Sequence, residues 1–443
     1  MSFTINEIIE ATHATVILAN EDEDNLTVST DTRTIGRDML YLPLKGENFN
    51  GFDFIQNALD AGAAGYFTEN PNDVNLDADI ILLVKNTKTA YLELAEYYRK
   101  KVNPITVLIT GSSGKTTVKE MMASVFEVKY KTHKTKLNHN NEIGLCQTLL
   151  SMPEDTKALI AEGGMRGLGE IELISKYTKP DRAVITNVGT AHIGRLGSVE
   201  NIAKAKCEIV KFLNDRGVLI APDNDLIKQF NTFKGKNIYI DFNNISIEKT
   251  EENGSEFVYK DHRYFISQEG EHNVQNAALV IETALSAGMT EDEIAEGLKN
   301  FKSIDKRWET EKIGSFEIIN DCYNSNPDSV KAAIKTFLNG KNGKKIVVLG
   351  DMGELGDDAV KYHIETGKYL EQFDFDCLLT FGELSENMNP QNKLVKHFDD
   401  KQKLAEYIVQ NYRDGAKILF KASRSMKFEE IIEEMKKYAD IVK

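Results

Sequence analysis

The run Ile105-Thr-Val-Leu-Ile-Thr110, followed at once by Gly111-Ser112-Ser113-Gly114-Lys115-Thr116-Thr117, constrains this chain more than any other feature. An uninterrupted apolar run is the pattern of a strand buried on both faces, as in parallel sheets covered by helices. A glycine turn between such a strand and a helix points backbone N–H groups at anions, and the helix N-terminus adds a favourable field. Lys115 is then placed to neutralise β/γ-phosphates, and the Thr116 hydroxyl to ligate Mg²⁺. The strict phosphate-loop spacing needs glycine where this chain has Ile109, so the match is to a shorter variant. The bland alternative is a Gly/Ser turn with a lysine in the first helical turn. A cation there opposes the helix dipole unless an anion offsets it, which favours the nucleotide.

At about 150 residues per domain, 443 residues suggest three domains. The expected fold class is α/β throughout. Residues 1–102 read as a small mixed α/β domain with strands at 26–30, 39–44, 64–68 and 80–84 and a helix over 89–101. The helix ends at Val102-Asn103-Pro104, a linker, because the residue before proline disfavours helix. Residues 103–308 read as a central P-loop-type domain with a mainly parallel sheet; strands are expected at 105–110, 158–161, 183–187 and 217–221. Its closing helices are expected over 273–287 and 291–299. Residues 309–443 read as a Rossmann-like domain with strands at 316–321, 345–349, 377–381 and 418–421, each followed by a helix.

Charge narrows the function. The 54 Lys+Arg against 69 Asp+Glu leave −15, which repels a phosphate backbone and argues against nucleic-acid binding. No apolar run approaches the ~18 residues of a membrane helix. The N-terminus lacks a basic start and apolar core, and Cys146, Cys207, Cys322 and Cys377 show no paired spacing, so a reduced, cytoplasmic protein is expected.

Three further residues point to a metal. Glu162 ends the buried run 158–161 and His192 follows the strand 183–187, both where parallel sheets place ligands. On the helix expected from Ser198 to about Leu213, Lys206 falls inside the stripe Val199, Ile202, Ala203, Ile209, Val210, Leu213. A buried ammonium wants an anion or loses its charge. Lys206 therefore pairs with a neighbour such as Glu162, snorkels its stem to the surface, or reacts with CO₂ to become a metal-binding carbamate. Residue physics leaves the three open.

These motifs resemble the Mur ligase family over essentially the whole chain. Thr110–Thr117 is similar to its phosphate loop, Asn138-His-Asn-Asn-Glu-Ile-Gly144 to its Asn-rich loop, and His272-Asn273-Val-Gln-Asn276 to its adenine signature. The fourteen residues from His192 to Lys206 match the family spacing between a metal histidine and a carbamylated lysine. The resemblance thus implies ATP, two Mg²⁺ ions and a CO₂-derived carbamate on Lys206. Thr116, Glu162, His192 and Lys206 would hold metal, with Lys115, Glu162, His192 and Lys206 catalytic. ATP would also meet Gly111, Ser112, Ser113, Gly114, Thr117, Asn273, Asn276, Arg307, Asp321, Tyr323 and Asn324. Ser29, Thr30, Asp31, Arg33, Lys45 and Gly46 look like uridine-binding segments; Asn138, Asn141, Asn326, Lys421, Ser423 and Arg424 would meet the remaining substrate. Tyr323-Asn-Ser-Asn-Pro327 and Lys421-Ala-Ser-Arg-Ser-Met426 are similar to the branch whose incoming amine is the dipeptide D-alanyl-D-alanine and whose carboxylate is UDP-N-acetylmuramoyl-tripeptide. Sister ligases adding one amino acid, or a folylpolyglutamate synthase-like ligase, would share the phosphate loop and Lys206 but not these two segments. A non-catalytic nucleotide switch has no use for a lysine buried near a carboxylate and a histidine. The implied enzyme is bacterial and monomeric, and closes its domains around an acyl phosphate from an open ligand-free form.

Overall fold

The computed structural model describes residues 2–19, 25–72, 74–136, 139–251, 254–302, 308–339 and 343–441. Three α/β units follow one another. The first holds a five-stranded sheet in the order Thr15–Leu18, Ile80–Leu83, Gly65–Thr68, Met39–Tyr41, Thr27–Ser29, parallel except for its first strand. Its helix Thr87–Val102 packs against the next unit: Tyr98 Oη donates to Met152 O at 2.7 Å, and Arg99 Nη2 donates to Lys179 O at 3.0 Å.

The central sheet has six parallel strands, in the order Lys236–Ile240, Val218–Pro222, Arg182–Ile185, Ile105–Thr110, Ala158–Glu162, Thr132–Lys134. Alternation within one strand shows why the apolar run is continuous. Val107 and Ile109 face a core shared with helices Lys115–Glu127 and Glu271–Ser286, while Leu108 faces the opposite core. Both faces are dry, so both sets of side chains must be apolar. A three-stranded antiparallel sheet, Ser246–Glu251, Gly254–Tyr259 and His262–Ile266, precedes the closing helices and was not expected. The sheet of the third unit is ordered Glu309–Ile313, Phe316–Asn320, Lys417–Lys421, Lys345–Gly350, Cys377–Phe381, Val395–Phe398, antiparallel only at its first strand.

The expected strands are present to within a few residues. Those missed in the three main sheets are edge strands (Thr15–Leu18, Thr132–Lys134, Lys236–Ile240, Glu309–Ile313, Val395–Phe398), which are short and partly polar. The helix expected from Ser198 to about Leu213 is shorter: it spans Val199–Cys207 and tightens to a 3₁₀ turn at Glu208–Val210. All four cysteines are free and buried, and no described helix is long and apolar enough to cross a membrane.

Candidate active site

One cleft of about 850 Å³ opens where the C-terminal ends of the central strands meet the third unit. Position follows from topology, because parallel sheets gather strand ends and helix N-termini on one edge. Gly111 (φ 156°) and Gly114 (φ 75°) shape its floor. A Cβ on Gly111 would lie 1.8 Å from Thr186 Oγ1, so only glycine lets the loop lie against the neighbouring strand end. Asn187 Oδ1 accepts from the N–H groups of Ser112 and Ser113, both at 3.0 Å, which bolts the loop down. Those two amides are therefore engaged, and the N–H groups free to meet an anion belong to the first turn of the helix Lys115–Glu127. Lys115 Nζ donates to Gly111 O at 2.7 Å, folded over the same loop.

Beside the loop, Glu162 is 4% exposed. It accepts from Thr116 Oγ1 and Asn140 Nδ2, each at 3.0 Å. Lys119 Nζ stands 3.9 Å from it and donates to Thr135 O at 2.9 Å. Lys206 is 1% exposed, in register with buried Ile202 and Ala203, whereas Lys204 and Lys211 face solvent. It makes no hydrogen bond or ion pair among the described residues. Burial, reinforced by the charge of Lys115, pushes its amine well below the ordinary value of 10.5. Two of the three readings of Lys206 thus fail: it neither snorkels nor pairs with Glu162, which is satisfied by others. His192, in the left-handed region at φ 65°, lines the cleft with Nδ1 2.5 Å from Glu354 Oε2 of the third unit.

The opposite wall belongs to the third unit. Lys421, 2% exposed, donates to Asp321 Oδ2 at 2.6 Å and Asn324 O at 3.1 Å. Asn326 caps the helix Pro327–Asn339, accepting from Ser329 N–H at 2.9 Å. Between the walls, Asn273 and Asn276 line the cleft with His272, whose imidazole is pushed down to about 4 by burial and by Lys421 and Lys335, against the pull of Asp321. In this conformation the two units touch rather than stand open.

The cleft therefore gathers Ser112, Ser113, Gly114, Lys115, Thr116, Thr117, Asn141, Glu162, His192, Asn273, Asn276, Asp321, Tyr323, Asn324, Asn326 and Lys421. Lys206 is not among the residues lining the cleft, though the charge of Lys115 on the loop reaches its amine. Ser423 and Arg424 do not reach it: Ser423 Oγ accepts from Gly353 N–H at 2.7 Å, and Arg424 pairs with Glu429 at 2.5 Å. The residues of the first unit also stand apart. Asp31, held down to about 2 by the guanidinium of Arg33, and Ser29, Thr30, Lys45 and Gly46 do not line the cleft, though Glu47, next to Gly46, does. Asn138 and Arg307 lie outside the described residues. Missed by sequence reasoning were Asn140, Asn187 and Glu354, which act through partners far away in sequence, and Lys119. Its spacing before Met122 and Phe126, three and seven residues, puts it on an apolar helical face and was a readable signal. No three His, Cys, Asp or Glu side chains cluster as a metal site among the described residues.

Three family models match the chain: Mur ligase family, catalytic domain, over residues 27–108; Mur ligase middle domain over 109–284; and Mur ligase, glutamate ligase domain, over 306–424. The chain is 38% identical over 452 residues to the UDP-N-acetylmuramoyl-tripeptide–D-alanyl-D-alanine ligase of Bacillus subtilis (strain 168), covering 98% of each. Among solved structures, MurF from Acinetobacter baumannii superposes with a TM-score of 0.91 at 27% identity over 99% of both chains. The MurF ligase of Thermotoga maritima, in complex with ADP, gives 0.86 at 26% identity over 94% of this chain and 99% of that one.

Proposed function

This chain belongs to the Mur ligase family, and on that premise we propose that it is the ATP-dependent ligase joining D-alanyl-D-alanine to UDP-N-acetylmuramoyl-tripeptide in bacterial peptidoglycan precursor synthesis. The observation that carries the reading is the single cleft with the phosphate loop, Thr116 and Glu162 on one wall and Lys421, Asp321 and Asn324 on the other. Phosphoryl chemistry and the incoming amine are thereby held in one enclosure.

Residues 1–102 would bind the uridine moiety, 103–308 ATP, and 309–443 the dipeptide, in a monomer. ATP lies with its phosphates on the first-turn amides of the helix Lys115–Glu127, and Lys115 swings from Gly111 O onto the β/γ-phosphates. The terminal carboxylate of the tripeptide attacks the γ-phosphorus; the bond to the ADP oxygen breaks, giving an acyl phosphate and ADP. The dipeptide amine then attacks the acyl carbon, phosphate leaves with the bonding pair, and the amine loses a proton. Lys421, held by Asp321 and Asn324, supplies positive charge on the dipeptide wall.

The donor set fits Mg²⁺ in part: the Thr116 hydroxyl against Glu162 is an oxygen pair suited to one ion. A second ion would be held by Glu162, His192 and, as a carbamate, Lys206. Lys206 fits that role, since burial pushes its amine well below its ordinary value and so favours the neutral form that attacks CO₂ to give a carbamate and a proton. Bound there, the ions would offset repulsion between the carboxylate and the γ-phosphate. Excluding water from the acyl phosphate is the task of the two walls.

The test is phosphate release from ATP and Mg²⁺ with the UDP-linked tripeptide, comparing D-Ala-D-Ala with single amino acids. Release with the dipeptide alone, and a product heavier by one dipeptide less water, is expected. Turnover with a single amino acid would move the chain to a sister ligase.

A further inference from the structure

We propose that Glu354 is a positioning residue delivered to His192 by domain docking, so that the histidine acquires its working orientation only when the third unit closes on the central one. The proposal rests on the ligase reading for its consequence, but its contact stands on geometry. Glu354 Oε2 lies 2.5 Å from His192 Nδ1 across the junction. The contact is one of proximity, without aligned hydrogen-bond geometry; a carboxylate oxygen so close to a ring lone pair would be repelled, which places a proton on the Nδ1 side and leaves Nε2 for a ligand in the cleft.

Both residues are held in a rare conformation. His192 has φ 65° and Glu354 φ 61°, in the left-handed region that residues with a Cβ seldom adopt. Strain on two facing residues persists only where the surroundings impose it. The surroundings here are a three-point catch between the loop 189–194 and the third unit. On one side Asp328 Oδ2 accepts from Thr190 N–H at 2.7 Å and from Thr190 Oγ1 at 2.8 Å. On the other, Gly194 N–H donates to Glu354 O at 3.2 Å, and a Cβ on Gly194 would lie 2.3 Å from Gly356 N. His192 and Glu354 sit between these two contacts.

Glu354 is also carried on a stiff loop. Buried His363 accepts from Met352 N–H at 3.0 Å through Nε2, and Ser423 Oγ accepts from Gly353 N–H. Thus Ser423 acts at a distance, through the loop that aims Glu354. Carboxylate partners of metal-binding histidines fix tautomer and ring direction, and losing one costs ~10–100-fold in metal affinity or activity. Here that partner comes from the domain proposed to bind the dipeptide, which ties phosphoryl transfer to its docking.

The test uses the full chain labelled with ¹⁵N-histidine and free of ligands, read by the ring-nitrogen shifts of His192. Wild type is expected to show the Nδ1–H tautomer. Glu354→Gly, which suits the left-handed backbone and keeps the loop, should lose it; Glu354→Gln, whose amide oxygen still accepts from Nδ1–H, should retain it. Asp328→Ala should enlarge the radius of gyration in solution scattering and reproduce the Glu354→Gly spectrum. In turnover, Glu354→Gly should lower kcat and raise the Mg²⁺ concentration for half-activation, each by ~10–100-fold, with KM for ATP within about twofold; Glu354→Gln should recover most of the loss. An Nε2–H tautomer in wild type, or an unchanged spectrum in Glu354→Gly or Asp328→Ala, would overturn the proposal. The spectra need no substrate, so they stand apart from failure of the ligase assay.

Discussion

Lys119 and Lys206 are equally buried, each 1% exposed, on two helices of the central unit, yet they keep different company. Lys119 stands 3.0 Å from Glu120 and 3.9 Å from Glu162, and donates to Thr135 O. Lys206 has no such partner among the described residues, and burial pushes its amine well below its ordinary value. Burial alone therefore does not tell what a lysine does. Surrounded by acceptors it is a structural cation; without them it becomes a nucleophilic amine.

The largest effect that sharpens this contrast is on activity. Lys206→Met should lower ligase turnover by at least ~100-fold, since the carboxylate its carbamate would supply is lost. A ¹³C carbamate resonance should form from ¹³CO₂ in wild type and be absent in Lys206→Met; its absence in both would break the comparison.

Stability should run the other way. Lys119→Met leaves buried Glu162 without its nearby cation, while Glu120 keeps Lys134, and should cost about 3 kcal/mol in urea unfolding. Lys206→Met removes a desolvated amine with no partner, and its midpoint should match or exceed that of CO₂-free wild type. The sign with pH follows. The folded-state value of Lys206 lies below 10.5, so over that interval the unfolded chain binds more protons and wild type gains stability as pH rises. The advantage of Lys206→Met should therefore shrink toward pH 10.5. An advantage that grows with pH would mean the amine is charged in the fold.

Glycine at the loop comes next. Gly111→Ala should weaken nucleotide binding by about tenfold or more in calorimetry, because the new Cβ meets Thr186 Oγ1. The smallest effect is expected at His272, whose imidazole sits at about 4 rather than 6.5. The unfolded chain binds the extra proton between those values, so stability falls as pH drops from about 6.5 to about 4. His272→Gln should flatten that part of the profile; an unchanged slope would assign it elsewhere.

Much of the site was legible because it is written in local spacing. The strand, turn and helix at 105–127 need only a dry run, two glycines and a helix start. Lys206 was readable from a period of 3.6, and the structure adds that no described residue pairs with it. The edge strands were not legible, since a strand with one neighbour and a wet face carries no strong pattern. The uridine-like residues Ser29–Arg33 do not line the cleft, and local spacing carries no signal of where they stand relative to it.

By itself, then, the sequence determined the succession of three α/β units, the phosphate loop and the placing of Lys206 on a dry helical face, because periodicity and glycine geometry act over a few residues. Only the tertiary structure decided which charges meet. Glu162 went to Thr116, Asn140 and the neighbourhood of Lys119 and not to Lys206, and Glu354 reached His192 from 162 residues away in the chain. Such pairings depend on how strand ends and domains are brought together in space, and no local pattern encodes a contact whose partner lies in another domain.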